Sequence, residues 1–195
     1  MLSDRRSSGL NTPSFRDPAG TVFRMDGRIL RVVRPMAEAA LREFLSSRTC
    51  STLLDSRRLT RMRDLSRDEA QLLALPPGAA EHWVLEHEAV AFPSYPSEWP
   101  PEMLHAAAVL HLDIAETALK EGFGLKDASP FNCMFNAAQP IFLDWLSFER
   151  RDPRDPTWLA YAQFVRTFVL PLLLHAASGV PPAQWFINSR EGIEV

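Results

Sequence analysis

The stretch that most constrains this chain runs from Gly122 to Glu149, GFGLKDASPFNCMFNAAQPIFLDWLSFE. It opens with a polar loop, Leu125 to Asn132, stiffened by Pro130. Two short apolar runs follow, Cys133 to Phe135 and Pro140 to Leu143, with Ala137, Ala138 and Gln139 as the turn between them. A loop–strand–turn–strand unit of this length folds back on itself, so an acid closing the second strand returns beside the loop. Asp144 stands at that strand end, and Asp127 and Asn132 lie in the loop. Two carboxylates and an amide gathered on one point are hard oxygen donors, which suit Mg²⁺ and leave it room for water and phosphate. The same three residues also fit a plainer reading: Asp127 and Asn132 as turn groups around Ser129-Pro130, and Asp144 as a cap.

Around this stretch the chain divides into readable pieces. Residues 1 to 14 are rich in Ser, Arg and Asn without periodicity, and are expected to form a disordered leader. Thr21 to Arg24 and Arg28 to Val33 flank Met25-Asp26-Gly27, and an Asp-Gly step between aliphatic runs predicts a hairpin. Met36 to Leu45 carries apolar residues at 37, 40, 41, 44 and 45, a helical stripe. Residues 46 to 81 show no clear period; Arg57, Arg58, Arg61, Arg63 and Arg67 make them locally basic, the usual mark of a solvated face. After Pro76-Pro77-Gly78, His82 to Val90 reads as a strand and Phe92 to Pro96 as a stiff connector. Its His and Glu residues lack the spacing of a zinc motif. Pro100-Pro101 opens a long, largely buried helix to about Glu121, which Gly122 and Gly124 end. Trp158 to Ala177 reads as helical, with Phe168 to Ala177 a buried helix too short and too interrupted to span a bilayer.

Composition narrows the classes. With 195 residues and 46% hydrophobic content the chain can bury a proper core, as one domain of two lobes. A net charge of −3 makes no electrostatic case for nucleic acid or an anionic membrane as partner. Cys50 and Cys133 show no ligand spacing and fit free thiols in a reducing cytosol, and the polar N-terminus lacks a signal peptide's apolar core. A cytoplasmic location is therefore expected.

The residues D-x-x-P-x-N at 127–132, followed twelve residues later by an apolar strand ending in Asp144, resemble the catalytic loop and metal-binding Asp of the protein-kinase-like fold, especially its aminoglycoside-phosphotransferase branch. The resemblance implies an α+β fold with a small β-rich N-lobe over residues 15–92 and a mainly helical C-lobe over 93–195. It further implies that Asp127 orients an acceptor hydroxyl, that Asn132 and Asp144 hold Mg²⁺, and that ATP is the nucleotide. In the N-lobe, Arg31 with Glu43 would position phosphates, and backbone groups of about Glu86 to Glu88 would meet the adenine ring. The chain departs from the family at several points. Leu125 replaces the loop histidine, Lys126 follows it, Asp144-Trp145-Leu146 stands where the family has D-F-G, Arg31 replaces a lysine, and no G-x-G-x-x-G precedes the hairpin. A surface salt bridge is the plainer reading of Arg31.

Taken together, FRDPAGTVFRMDGRILR, LEHEAVAFPSYPSEW, LKDASPFN and FLDWLSF are similar to the N-terminal region of bacterial proteins described as class I S-adenosylmethionine-dependent methyltransferases and related to nodulation proteins. That similarity covers about residues 15 to 193 and implies that the chain is a fragment whose methyltransferase domain lies downstream or in a partner protein. No glycine-rich strand–loop–helix that would hold the methionine cofactor is present in the sequence. Two functions remain open: a kinase-like domain that binds Mg-nucleotide and transfers a phosphoryl group, or a non-catalytic kinase-like module that serves a methyltransferase.

Overall fold

The computed structural model describes residues 18–187 and 189–194. The expected leader, residues 1–14, lies outside them. In chain order the regular elements are β1 (Gly20–Met25), β2 (Arg28–Val33), α1 (Pro35–Leu45), α2 (Arg48–Asp55), β3 (Met62–Asp64), α3 (Arg67–Gln71), β4 (Trp83–His87), α4 (Pro101–Leu119), β5 (Phe123–Leu125), β6 (Cys133–Asn136), β7 (Gln139–Phe142), β8 (Phe148–Arg150), α5 (Tyr161–Phe164) and α6 (Leu170–Ser178). A π-helical turn, Val165–Val169, joins the last two. The fold is mixed α+β. It divides into two units, one holding residues up to Ala39 with Arg61–Ala89, the other Ala40–Thr60 with the residues from Val90 on.

The first unit is built on a four-stranded antiparallel sheet of order β1-β2-β4-β3. Its hairpin forms where the Asp-Gly step predicts it. Asp26 and Gly27 both take positive φ, 48° and 79°, the pair of left-handed residues that a two-residue turn between twisted strands requires. One face carries Phe23, Leu30, Val32 and Val84 into a cluster with Leu65, Ala70 and Ala79. At the end of that face the Glu86 carboxylate is clamped by Arg28, at 2.6 and 2.9 Å, and by Arg63. On the opposite face Val33 and Leu85 are fully buried, and so, nearly, are Arg31 and His87. Arg31 is thus no surface group, which removes the exposed salt bridge as its explanation.

Residues 46–81, without a clear period in the sequence, form α2, β3 and α3. Each helix begins at a serine cap: Ser47 Oγ accepts from Cys50 N, and Ser66 with Glu69 closes a reciprocal capping box.

In the second unit α4 supplies the central apolar face, with Leu104, Ala107, Leu110, His111, Ile114 and Ala118 buried. Its other side is more open than expected, since Val109 and Leu112 are exposed. Two small antiparallel pairs, β5-β8 and β6-β7, complete this unit. The β6-β7 turn is one residue tighter than expected. Gln139 already pairs with Asn136, leaving Ala137 and Ala138 in the turn, and Ala137 takes a φ of 53°. The last helix also differs from expectation. It is helical as predicted, yet only Pro171 of α6 is buried, and Leu173 is 58% exposed. An apolar composition set the expectation of burial, but nothing among the described residues covers that face.

Phe44, at the C-terminal end of α1, knots the second unit's aromatic core. It stacks on Phe148 at 3.8 Å between centroids and meets Phe123 and Trp145 edge-on. Truncating a fully buried aromatic removes both its transfer free energy and its contacts. Phe44→Ala is expected to lower unfolding free energy by about 3–5 kcal/mol, measured by urea denaturation, and Phe44→Leu by clearly less.

Candidate functional site

The polar loop is fixed on two sides before any side-chain chemistry is considered. On one side, Ser147 binds it. Lys126 N donates to Ser147 O at 2.8 Å, Asp127 N donates to Ser147 Oγ at 3.2 Å, and that hydroxyl donates back to Asp127 O at 3.4 Å. Ser147 is fully buried, so these bonds are made away from competing water. On the other side, the chain from Trp158 through α5 and the π-helical turn holds the loop's main chain. Ala128 N donates to Gln163 Oε1, Thr167 Oγ1 donates to Ala128 O, and Trp158 Nε1 donates to Leu125 O.

The strand-end acid enters the same frame. The β6-β7 register places Cys133 opposite Phe142, and one step further Leu143 N donates to Asn132 O at 2.8 Å. Asp144 is therefore the next residue after one bonded to Asn132. Its Oδ1 accepts from Leu146 N at 3.3 Å, and its carbonyl accepts from Ser147 N. The main chains at Asp127, Asn132 and Asp144 thus belong to one hydrogen-bonded frame, with Asp127 exposed and Asn132 and Asp144 half-buried. Among the described residues no three His, Cys, Asp or Glu side chains group as a metal site. Any cation here would draw on the two carboxylates with the Asn132 amide.

His111 lies beneath the frame. Its Nδ1 is 2.9 Å from Ala107 O and 3.7 Å from Cys133 Sγ, and its ring packs against Phe142 and Phe168. It touches the residue after Asn132 and a residue two before Asp144. Burial pushes its pKa down to about 4, only partly countered by the Ala107 and Ser129 carbonyls. Burial also raises the Cys133 thiol, so both side chains are neutral packing groups at pH 7.

Of the remaining predicted residues, Glu43 belongs to the second unit, and Arg31, Glu86 and Glu88 belong to the first. Glu43 pairs with Arg150 at 2.7 Å and lines a shallow cleft with Ser47, Arg48 and Glu121. In the first unit, Arg31 is buried on the sheet face that carries His87. His87 is driven down to about 3 by burial first and the Arg31 charge second. Glu86 holds Arg28 and Arg63, which keep its carboxyl below the usual range. Glu88 N donates to Arg61 O at 2.9 Å. The main-chain groups of residues 86 and 87 face partners in neighbouring strands of the ladder. Ser147, Gln163 and Thr167 were not singled out by the sequence, because each acts across at least 20 residues on loop backbone that carries no signature of its own.

No family model matches the sequence. The chain is 37% identical over 182 residues to the nodulation protein NoeA of Rhizobium meliloti (strain 1021), a match that covers 92% of this chain and 36% of that protein. The chain therefore spans little more than a third of that relative's length. Among solved structures, vaccinia related kinase 3 aligns over 78% of this chain and 50% of its own, at 10% identity and a TM-score of 0.44.

The buried imidazole makes stability pH-dependent with a definite sign. Above the ordinary histidine pKa of 6.5 neither state carries the proton. As pH falls from 6.5 toward about 4, the unfolded chain gains a proton that folded His111 refuses, and stability drops by up to about 3 kcal/mol. Urea unfolding at pH 7, 5.5 and 4 should show this loss, and His111→Gln should show a smaller one. An NMR titration placing the His111 ring near 6.5 would contradict the buried geometry.

Proposed function

We propose that the segment from Gly122 to Glu149 is the Mg²⁺-phosphate site of a protein-kinase-like chain, which binds a nucleotide and passes its terminal phosphoryl group to an acceptor hydroxyl. The observation that carries this reading is the frame in which Ser147 and the Leu143–Asn132 bond hold three oxygen-bearing positions together. A site that must orient phosphate needs such fixed backbone, because positioning supplies most of the catalysis in phosphoryl transfer. The donor set is all oxygen, as Mg²⁺ prefers, with Asn132 and Asp144 as ligands. When bound, the cation would offset the phosphate charge.

Asp127, on the exposed side of the loop, orients the acceptor. The hydroxyl oxygen bonds to the terminal phosphorus, the bond from that phosphorus to its bridging oxygen breaks, and the hydroxyl proton passes to the Asp127 carboxylate.

A second reading has its own support. Glu43 and Glu86 are tied up in ion pairs, and the Glu88 N–H is used within the sheet. These engagements suit a kinase-like module that binds no nucleotide and serves a larger protein, such as a nodulation protein or an S-adenosylmethionine-dependent methyltransferase.

Thermal-shift titration separates the two. MgATP at about ten times its Kd stabilises the folded state by about 1.4 kcal/mol, which raises Tm by roughly 3–6 °C in a chain of this size. Asp144→Ala should remove the Mg²⁺-dependent part of that shift. Asp127→Asn should keep it while slowing ATP consumption by about 100-fold or more. No shift at millimolar MgATP would overturn phosphoryl transfer in favour of the module.

A further inference from the structure

Beside the candidate loop lies a second concavity with different chemistry. A cavity of about 450 Å³ is walled by Tyr95, Phe131, Phe186 and Ile187, with hydroxyls from Ser97 and Ser189. The volume falls within the range of small-molecule sites, which are mostly apolar with a few fixed polar groups. Phe131 meets Phe186 edge-on at 5.9 Å, while Tyr95 and Ile187 at the rim are 47% and 65% exposed. Over the Phe131 ring, 4.8 Å from its centroid, stands the Arg190 guanidinium. No carboxylate among the described residues pairs with it. A cation stacked on an aromatic ring and open to the cavity retains its donors for an incoming anion.

We infer that this cavity binds a small ligand with a flat ring and an anionic substituent, the ring lying against Phe131 and Tyr95 and the carboxylate or phosphate meeting Arg190. Phe131 sits in the same short 3-10 turn, Pro130–Asn132, as the proposed metal ligand Asn132. A ligand here therefore lies next to the loop that carries Asp127. Calling it the phosphoryl acceptor rests on the function proposed above, whereas its binding does not.

Amide and arginine-side-chain NMR of the whole chain tests this with three probes: 4-hydroxybenzoate, 4-hydroxyphenyl phosphate and the neutral 4-methylphenol. Both anions, or one of them, should give saturable shifts at Phe131, Ile187 and the Arg190 Nε–H, with a roughly millimolar Kd as befits about ten non-hydrogen atoms. Which anion saturates first separates a carboxylate ligand from a phosphate ligand. The neutral probe should bind about tenfold more weakly. Arg190→Gln should bring the anions down to its level and leave the neutral probe unchanged. Absence of saturable shifts by about 20 mM, equal binding of the neutral probe, or indifference to Arg190→Gln overturns the inference. Saturable anion binding in a chain that shows no MgATP shift would keep the ligand site and remove only its role as acceptor site.

Discussion

Ser147 is the joint on which the second unit depends. Its hydroxyl serves Asp127 at both N–H and carbonyl, its carbonyl accepts from Lys126, and its own N–H closes the turn on Asp144. One buried residue thus locks the polar loop, through its hydroxyl and carbonyl, to the end of the second hairpin strand, through its N–H. Because the hydroxyl has no water to exchange with, losing it would leave a main-chain donor and acceptor unsatisfied, a cost of about 1–3 kcal/mol. That expense secures position more than stability. The loop carries Asp127, Ser129 and Asn132, polar groups that would otherwise sample many conformations.

Around this joint the two units divide the electrostatic work differently. In the second, the loop's surroundings are neutral: His111 and Cys133 are held uncharged by burial, and aromatic rings fill the space below. In the first, charge is concentrated. Glu86 takes two arginines at one end of the sheet, and Arg31 is buried on the other face near a histidine kept neutral. A neutral bed beneath the loop means that any charge brought to Asp127 or Asp144 is felt there with little compensation from below.

Local features were legible in the sequence and non-local ones were not. Asp26-Gly27 announced its hairpin because the turn needs two left-handed residues and those two supply them. Pro101 and Gly122 bracketed α4 for equally local reasons. Ser66 and Glu69 spelled a capping box in a segment without hydrophobic period, a signal present but drowned by the surrounding arginines. The β5-β8 pair left no trace, since three-residue strands separated by more than twenty residues carry too little pattern. The apolar run at Phe168–Ala177 is buried at Phe168 and Pro171 but misled beyond them, because hydrophobicity reports what could be buried, not whether a partner is at hand. As for the site, the order Asp127, Asn132, Asp144 pointed to the loop and strand end that the structure joins. Nothing in the sequence could show that Ser147, Gln163 and Thr167 do the joining, or that Arg190 would stand over Phe131.

The π-helical turn at Val165–Val169 has a reach beyond its own helix. Its Arg166 carbonyl accepts the Ile193 N–H at 3.0 Å, which ties the end of the chain to the helix. The approach is so close that a Cβ on Gly192 would fall 2.2 Å from that carbonyl oxygen, and Gly192 takes a φ of 71°. Two residues before it comes Arg190. The placement of a charged group over an aromatic floor is thereby governed by an atom that is missing from its neighbour. Selection on that floor's ligand would be visible as intolerance at a position with no functional group at all.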